Sequence, residues 1–184
     1  MKEIRLHGRG GQGVVKASHI IVKAAVANGK SAQFIPFFGV ERKGSPVFGY
    51  LRISESPIRR KTQIYYPDIL VIFDDSLIDL PSTYEGLKEG GTAIINSAKP
   101  IEALHIPPQA GDVAVVDATA IALDTLGREI PNTAMLGALA KVVNLAYTDT
   151  LLAEIEVAFG SKNKEAAQRA YDAVRCVGKE CRNV

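Results

Sequence analysis

The stretch Leu6-His7-Gly8-Arg9-Gly10-Gly11-Gln12-Gly13-Val14 constrains this chain more than any other: a short apolar run ends in glycines, and an alanine-rich segment begins at once. The pattern predicts strand, tight turn and helix. Glycines at 8, 10, 11 and 13 permit positive φ and let another group come close to the backbone, because no Cβ stands in the way. The first N–H groups of the helix then point out of the turn with the positive end of the helix dipole behind them, which suits an anion such as phosphate. Gly8, Gly10 and Gly13 also match the G-x-G-x-x-G dinucleotide spacing. A nicotinamide-binding unit needs in addition an Asp or Glu about 20 residues further on for the ribose hydroxyls. Ser31 to Phe38 contains no acid. Two readings stand side by side: an anion-binding turn, or a turn that only lets helix and strand pack closely.

The rest of the chain reads as an α/β protein. Val14 to Ala27 has apolar residues at helical spacing and stops at Asn28-Gly29. Ser31 to Phe37 and Val47 to Ser54 read as strands, joined by Phe38 to Pro46, a connection too short for a parallel crossover; antiparallel neighbours are expected. Asp68 to Asp74 is nearly continuous in apolar residues, as in a strand buried on both faces. A helix over Leu80 to Glu89 follows, then strands at Gly91 to Asn96 and Val113 to Asp117. Helices are expected over Asp117 to Leu126, Ala134 to Leu145, Thr148 to Phe159 and Asn163 to Lys179. Ala134 to Leu145 is apolar all round and therefore buried. The order predicts one domain over residues 1–184, a three-layer α/β/α fold with a mixed, mostly parallel, Rossmann-like sheet. Asp74, Asn96 and Asp117 end their strands at the carboxyl edge, where such sheets bind ligands. Helix capping is the plainer role for the two aspartates.

Composition narrows the function. With 47% hydrophobic residues the chain can bury a substantial core, and a net charge of +2 argues against a nucleic-acid binder. The basic charge is local, with Arg42, Lys43, Arg59, Arg60 and Lys61 falling close together. No apolar run approaches the roughly 18 residues of a membrane span, and the amino end lacks the apolar stretch of a signal peptide. A cytoplasmic protein without membrane contact is expected. Cys176 and Cys181 alone cannot close a zinc or iron–sulfur site. His7, His19 and His105 are not paired with a nucleophile, and no P-loop, nucleophile elbow or metal-spaced acid pair is present. What the chain offers is the glycine turn, a loop with Arg42, Lys43 and Ser45, and Asn132 at the start of the buried helix. Cations, hydroxyls and amides of this kind suit a ligand with several phosphates.

Four segments in order carry a resemblance. They are Gly8 to Gly13, Gly39-Val40-Glu41-Arg42-Lys43-Gly44-Ser45-Pro46, Pro67-Asp68, and Val116-Asp117-Ala118-Thr119 with Ile130 to Ala138. From Ile4 to about Phe159 the chain resembles the gamma subunit, or equivalent central domain, of pyruvate:ferredoxin oxidoreductase and related 2-oxoacid:acceptor oxidoreductases. The resemblance implies a subunit, without catalytic residues of its own, of an enzyme that converts a 2-oxoacid and coenzyme A to acyl-CoA and carbon dioxide. Thiamine diphosphate is expected on alpha and beta partners, and [4Fe-4S] clusters on beta and a ferredoxin-like delta chain. An NAD-linked flavoprotein is a conceivable further partner. Gly8, Arg9, Gly10, Gly11, Gln12, Gly13, Arg42, Lys43, Ser45 and Asn132 become the coenzyme A candidates. The 2-oxoacid, whether pyruvate, 2-oxoglutarate, a branched-chain acid or phenylglyoxylate, is not legible here. The alternatives are an architectural subunit without ligand contacts and a free-standing NAD-binding oxidoreductase.

Overall fold

The alternation of β-rich runs with helical stretches closes into one seven-stranded sheet in a computed structural model that describes residues 1–38 and 46–178. The strands are β1 (Lys2–Arg9), β2 (Ser31–Phe38), β3 (Pro46–Ser54), β4 (Ile69–Ile72), β5 (Gly91–Asn96), β6 (Ala110–Val116) and β7 (Arg175–Val177). Their spatial order is β2-β3-β1-β4-β5-β6-β7. β1, β4, β5 and β6 run parallel in the centre, β3 is antiparallel between β1 and β2, and β7 is antiparallel to β6. The α/β class and the antiparallel pairing of the second and third strands are as the sequence predicts. β4 is buried along its whole length, in keeping with its unbroken Ile-Leu-Val-Ile.

The helices are α1 (Val14–Ala27), α2 (Pro81–Tyr84), α3 (Ala118–Leu126), α4 (Asn132–Val142), α5 (Thr148–Phe159) and α6 (Ser161–Ala173). All but α2 gather on one face, in a core with Ile4, Leu6, Val71, Ile94 and Val116. α4 is buried from Asn132 to Ala140, and its Gly137 lets α6 approach so closely that a Cβ there would meet the Ala167 carbonyl oxygen at 1.8 Å. The other face is thin. A second core of Leu70, Ile72, Leu77, Ala93 and Ile95 is covered by α2 and by 3₁₀ turns at Asp75–Leu77 and Ile101–Ala103.

Side chains of β1 alternate, so Ile4 and Leu6 enter the helical core while Glu3, Arg5 and His7 face the thin side. A buried guanidinium must be paired, and two of them here hold irregular chain to the sheet. Arg52, 1% exposed, donates from Nε to Glu3 at 2.8 Å and from its terminal nitrogens to the carbonyls of Thr62 at 2.8 Å and Gln63 at 3.1 Å. Arg5 donates to the carbonyls of Thr83 at 2.9 Å and Glu85 at 2.7 Å, and through Nε to His7 Nε2 at 2.8 Å.

One of those clamps accounts for the first of the places where the predicted elements fail. The helix expected over Leu80 to Glu89 is the single turn Pro81–Tyr84, because Arg5 takes carbonyls that a longer helix would use and Gly86 turns the chain at φ 73. No helix joins β3 to β4 among the described residues. The helix expected to reach Leu145 ends at Val142, with Asn144 at φ 48. The helix expected over Asn163 to Lys179 stops at Ala173, and the β-formers that follow add β7 to the open edge of β6. Cys176 is therefore on a strand and not in a helix, while Cys181 lies outside the described residues.

Candidate functional site

β1 ends in the glycine turn. Gln12 N–H donates to the Arg9 carbonyl at 3.2 Å, and Gln12 Oε1 accepts from Arg9 N–H at 2.8 Å, so the turn is closed from both sides. Gly8 admits no side chain: a Cβ would meet Val14 Cγ2 at 2.5 Å. Gly13, at φ 79 and ψ 19, is the N-cap of α1 and supplies no side-chain cap. A Cβ on Gly13 would lie 2.6 Å from Asn132 Nδ2, because Asn132, buried at the first turn of α4, packs directly on it. The amino ends of α1 and α4 thus meet, and neither carries an acid in its first turn. Their dipoles add at this point.

A second set of bonds ties the turn to the end of β4. Gln12 Nε2 donates to Asp74 Oδ2 at 2.6 Å, and Arg9 donates to Ser76 Oγ at 3.0 and 2.7 Å while its Nε stands 3.6 Å from Asp74. Burial by itself would raise the Asp74 carboxyl; hydrogen bonds from the Ser76 hydroxyl and N–H and from Gln12, with the charge of Arg9, hold it below the usual carboxylate range. β1 hands the chain to α1 towards β2, whereas β4 and β5 progress the other way. Gln12, Arg9 and Asp74 therefore cross the point where the connections diverge, which is the ligand position of open α/β sheets.

Asp74, Asn96 and Asp117 do line one cleft with Gln12, of about 490 Å³, together with Thr119 and Pro131. They also have structural work. Asp74 accepts from Ser76 N–H at 3.0 Å, Asp117 caps α3 by accepting from Ala120 N–H at 2.8 Å, and Asn96 donates to Phe73 O and Thr119 Oγ1. Asp75 and Glu129 join them in the lining. The anion-compatible part is accordingly the Gly13–Asn132 side and not the cleft floor.

Of the ten predicted site residues the structure brings seven together, Gly8 to Gly13 and Asn132; Arg42, Lys43 and Ser45 lie outside the described residues. β2 ends at Phe38 and β3 begins at Pro46, which pairs with Arg9 at the same sheet edge. Ser76 is not legible as a site residue, and Asp74, expected at the ligand edge, is not legible as the partner of Arg9 and Gln12. An Asp-x-Ser after a buried strand signals a capped turn, but nothing in it points to a glutamine 62 positions earlier.

His7 is buried, and desolvation, helped by the Arg5 charge, pushes its pKa down to about 3. Its Nε2 accepts from Arg5, so the proton sits on Nδ1, which has no hydrogen-bond partner, and the ring meets Phe48 edge-on with centroids 4.9 Å apart. This is a packed, neutral histidine. Among the described residues no group of three or more His, Cys, Asp or Glu is arranged to hold a metal ion, and no helix is long and apolar enough to cross a membrane.

Residues 3–176 match the family model described as pyruvate ferredoxin/flavodoxin oxidoreductase. The chain belongs to that family. It is 48% identical over 180 residues to pyruvate synthase subunit PorC of Methanothermobacter thermautotrophicus, covering 95% of this chain and 96% of that one. It is 47% identical over 178 residues to the pyruvate/ketoisovalerate oxidoreductases common subunit gamma of Thermococcus kodakarensis, covering 94% and 96%. The crystal structure of the Thermotoga maritima pyruvate oxidoreductase subunit PORC superposes with a TM-score of 0.83 at 36% identity, covering 95% of this chain and 97% of that one. As a gamma-type subunit of a 2-oxoacid oxidoreductase, the chain shares that fold through 95% of its length.

Proposed function

We propose that this gamma-type subunit binds coenzyme A at the meeting of α1 and α4, within a multisubunit enzyme that oxidatively decarboxylates a 2-oxoacid. The observation that carries the reading is the contact of Gly13 with Asn132, which joins two acid-free helix amino ends at the carboxyl edge of the sheet. Backbone N–H groups there would hold a phosphate, and Arg42, Lys43 and Ser45 would add charge-assisted bonds from the loop between β2 and β3. Thiamine diphosphate and iron–sulfur clusters, held by alpha, beta and delta partners, would supply decarboxylation and electron transfer. The share left to this chain is binding and orientation. The 2-oxoacid is chosen elsewhere, a division supported by the name of the Thermococcus relative, a subunit common to pyruvate and ketoisovalerate oxidoreductases. The place of action is the cytoplasm.

One observation favours an architectural role instead: Arg9 and Gln12 are already engaged by Asp74 and Ser76. A nicotinamide site is disfavoured further, because antiparallel β3 stands beside β1 where a dinucleotide-binding unit has its second parallel strand. Lys43→Ala in the assembled complex separates binding from architecture. Loss of a charge-assisted hydrogen bond of about 1.5 to 3 kcal/mol raises the KM for coenzyme A by roughly 10-fold to 150-fold. The rate of 2-oxoacid-dependent cluster reduction changes less. An unchanged KM in an intact complex excludes Lys43 from binding.

A further inference from the structure

Residues 59–66 have no helix or strand, yet they are fixed to the thin face. Arg52 holds the carbonyls of Thr62 and Gln63, Ile64 is 2% exposed, and the Tyr65 carbonyl oxygen fills the space where a Cβ on Gly86 would lie, 1.9 Å away. On both sides of this anchor the side chains face solvent. Arg59, Arg60 and Lys61 are exposed, and Tyr65 and Tyr66 are 65% and 68% exposed. None of the three cations forms an ion pair with a described residue; Glu55, the nearest acid in sequence, is held by Lys30 at 2.6 Å. In a chain of net charge +2 this is a concentrated positive patch.

A pinned backbone presenting two tyrosines loses little further freedom when it is covered. Tyrosine and arginine are enriched at interface centres, and a row of uncompensated cations sets the sign of the surface that fits them. The ridge is also remote from the glycine turn. Arg52 pairs with Glu3 near the amino end of β1, and Gly8 stands five positions along the strand, about 16 Å at 3.3 Å per residue. We infer that Arg59–Tyr66 docks on an acidic surface of another protein chain of the oxidoreductase complex, the tyrosines covering its apolar part and the basic triplet meeting its carboxylates. This rests on membership in a multisubunit oxidoreductase.

The test uses the assembled complex. With the triple charge reversal R59E/R60E/K61E, the subunit should leave the complex at salt concentrations that the wild type withstands, with association at least ~10-fold weaker at low ionic strength. Tyr65→Ser with Tyr66→Ser should weaken association without changing its salt dependence. Zero-length carbodiimide coupling of the wild-type complex should join Lys61 to an Asp or Glu of another subunit. The proposal is overturned by a reversed complex of unchanged composition and salt resistance in which Lys61 forms no such link. It is equally overturned if the reversal raises the KM for coenzyme A while the complex stays intact, since the ridge would then serve a phosphate ligand. A wild-type chain that copurifies with no other subunit removes the subunit reading itself, an outcome distinct from both.

Discussion

On one face of the sheet five helices bury apolar side chains against one another; on the other, two guanidinium forks hold irregular chain where helices would otherwise lie. The helical face gains its stability from area removed from water and from close approach at Gly137. The thin face adds geometry to its smaller apolar core: Arg5 and Arg52 satisfy carbonyls that no backbone N–H reaches, and the two clamped segments touch at Tyr65 and Gly86. A fork fixes a loop without prescribing a regular surface, whereas a helix imposes one. The cost is concentration, because the loop depends on a single side chain whose loss strands a carboxylate and two carbonyls together.

That contrast can be broken most sharply at Arg52. Arg52→Met leaves Glu3 without its partner and should destabilise the chain by about 3 to 5 kcal/mol. Urea unfolding measures the loss, and trypsin cleavage at the exposed Arg59, Arg60 and Lys61 should speed up while the amides of α4 and α6 keep their exchange protection; the opposite order would refute the division between the faces. Gly137→Ala probes the other side. Its Cβ collides with α6 backbone, so a loss of about 3 kcal/mol is expected, here with the amides of α4 and α6 losing protection while trypsin cleavage at residues 59–61 keeps its wild-type rate.

The smallest effect is a pH slope. His7 stays neutral in the fold down to about 3 but protonates in the unfolded chain below 6.5. The unfolded state therefore binds more protons between those values, and stability falls as pH drops through the window, by up to about 1.4 kcal/mol per unit. His7→Gln, which keeps an acceptor for Arg5, should flatten that slope between pH 6.5 and 5 in urea titrations. A slope unchanged by the substitution would assign it to other groups.

The helical face was largely legible in the sequence. Val14 to Ala27 and Thr148 to Phe159 are the helices found, and the all-round apolar character of Ala134 onward gave the buried α4. Periodicity carries such information because each side chain reports its own burial. The thin face was not legible, since an arginine in a β-rich run such as Tyr50 to Ser54 looks the same whether it meets water or two distant carbonyls. β7 was missed for a related reason: three residues are too few to show a period, and only the open edge of β6 makes them a strand. At the site, the glycines and Asn132 could be singled out by type, but their contact depends on α4 returning to α1, and the tie from Gln12 to Asp74 spans two strands.

The central claim, coenzyme A on the amino ends of α1 and α4, is tested most directly by amide hydrogen exchange of the assembled complex with and without the ligand. At one hundred times Kd, amides of residues 11–16 and 132–135 that exchange only from the ligand-free form should slow by up to about 100-fold, with residues 59–66 unaffected. Exchange at 11–16 and 132–135 that stays the same under saturating coenzyme A, with protection appearing elsewhere in the complex, would contradict it.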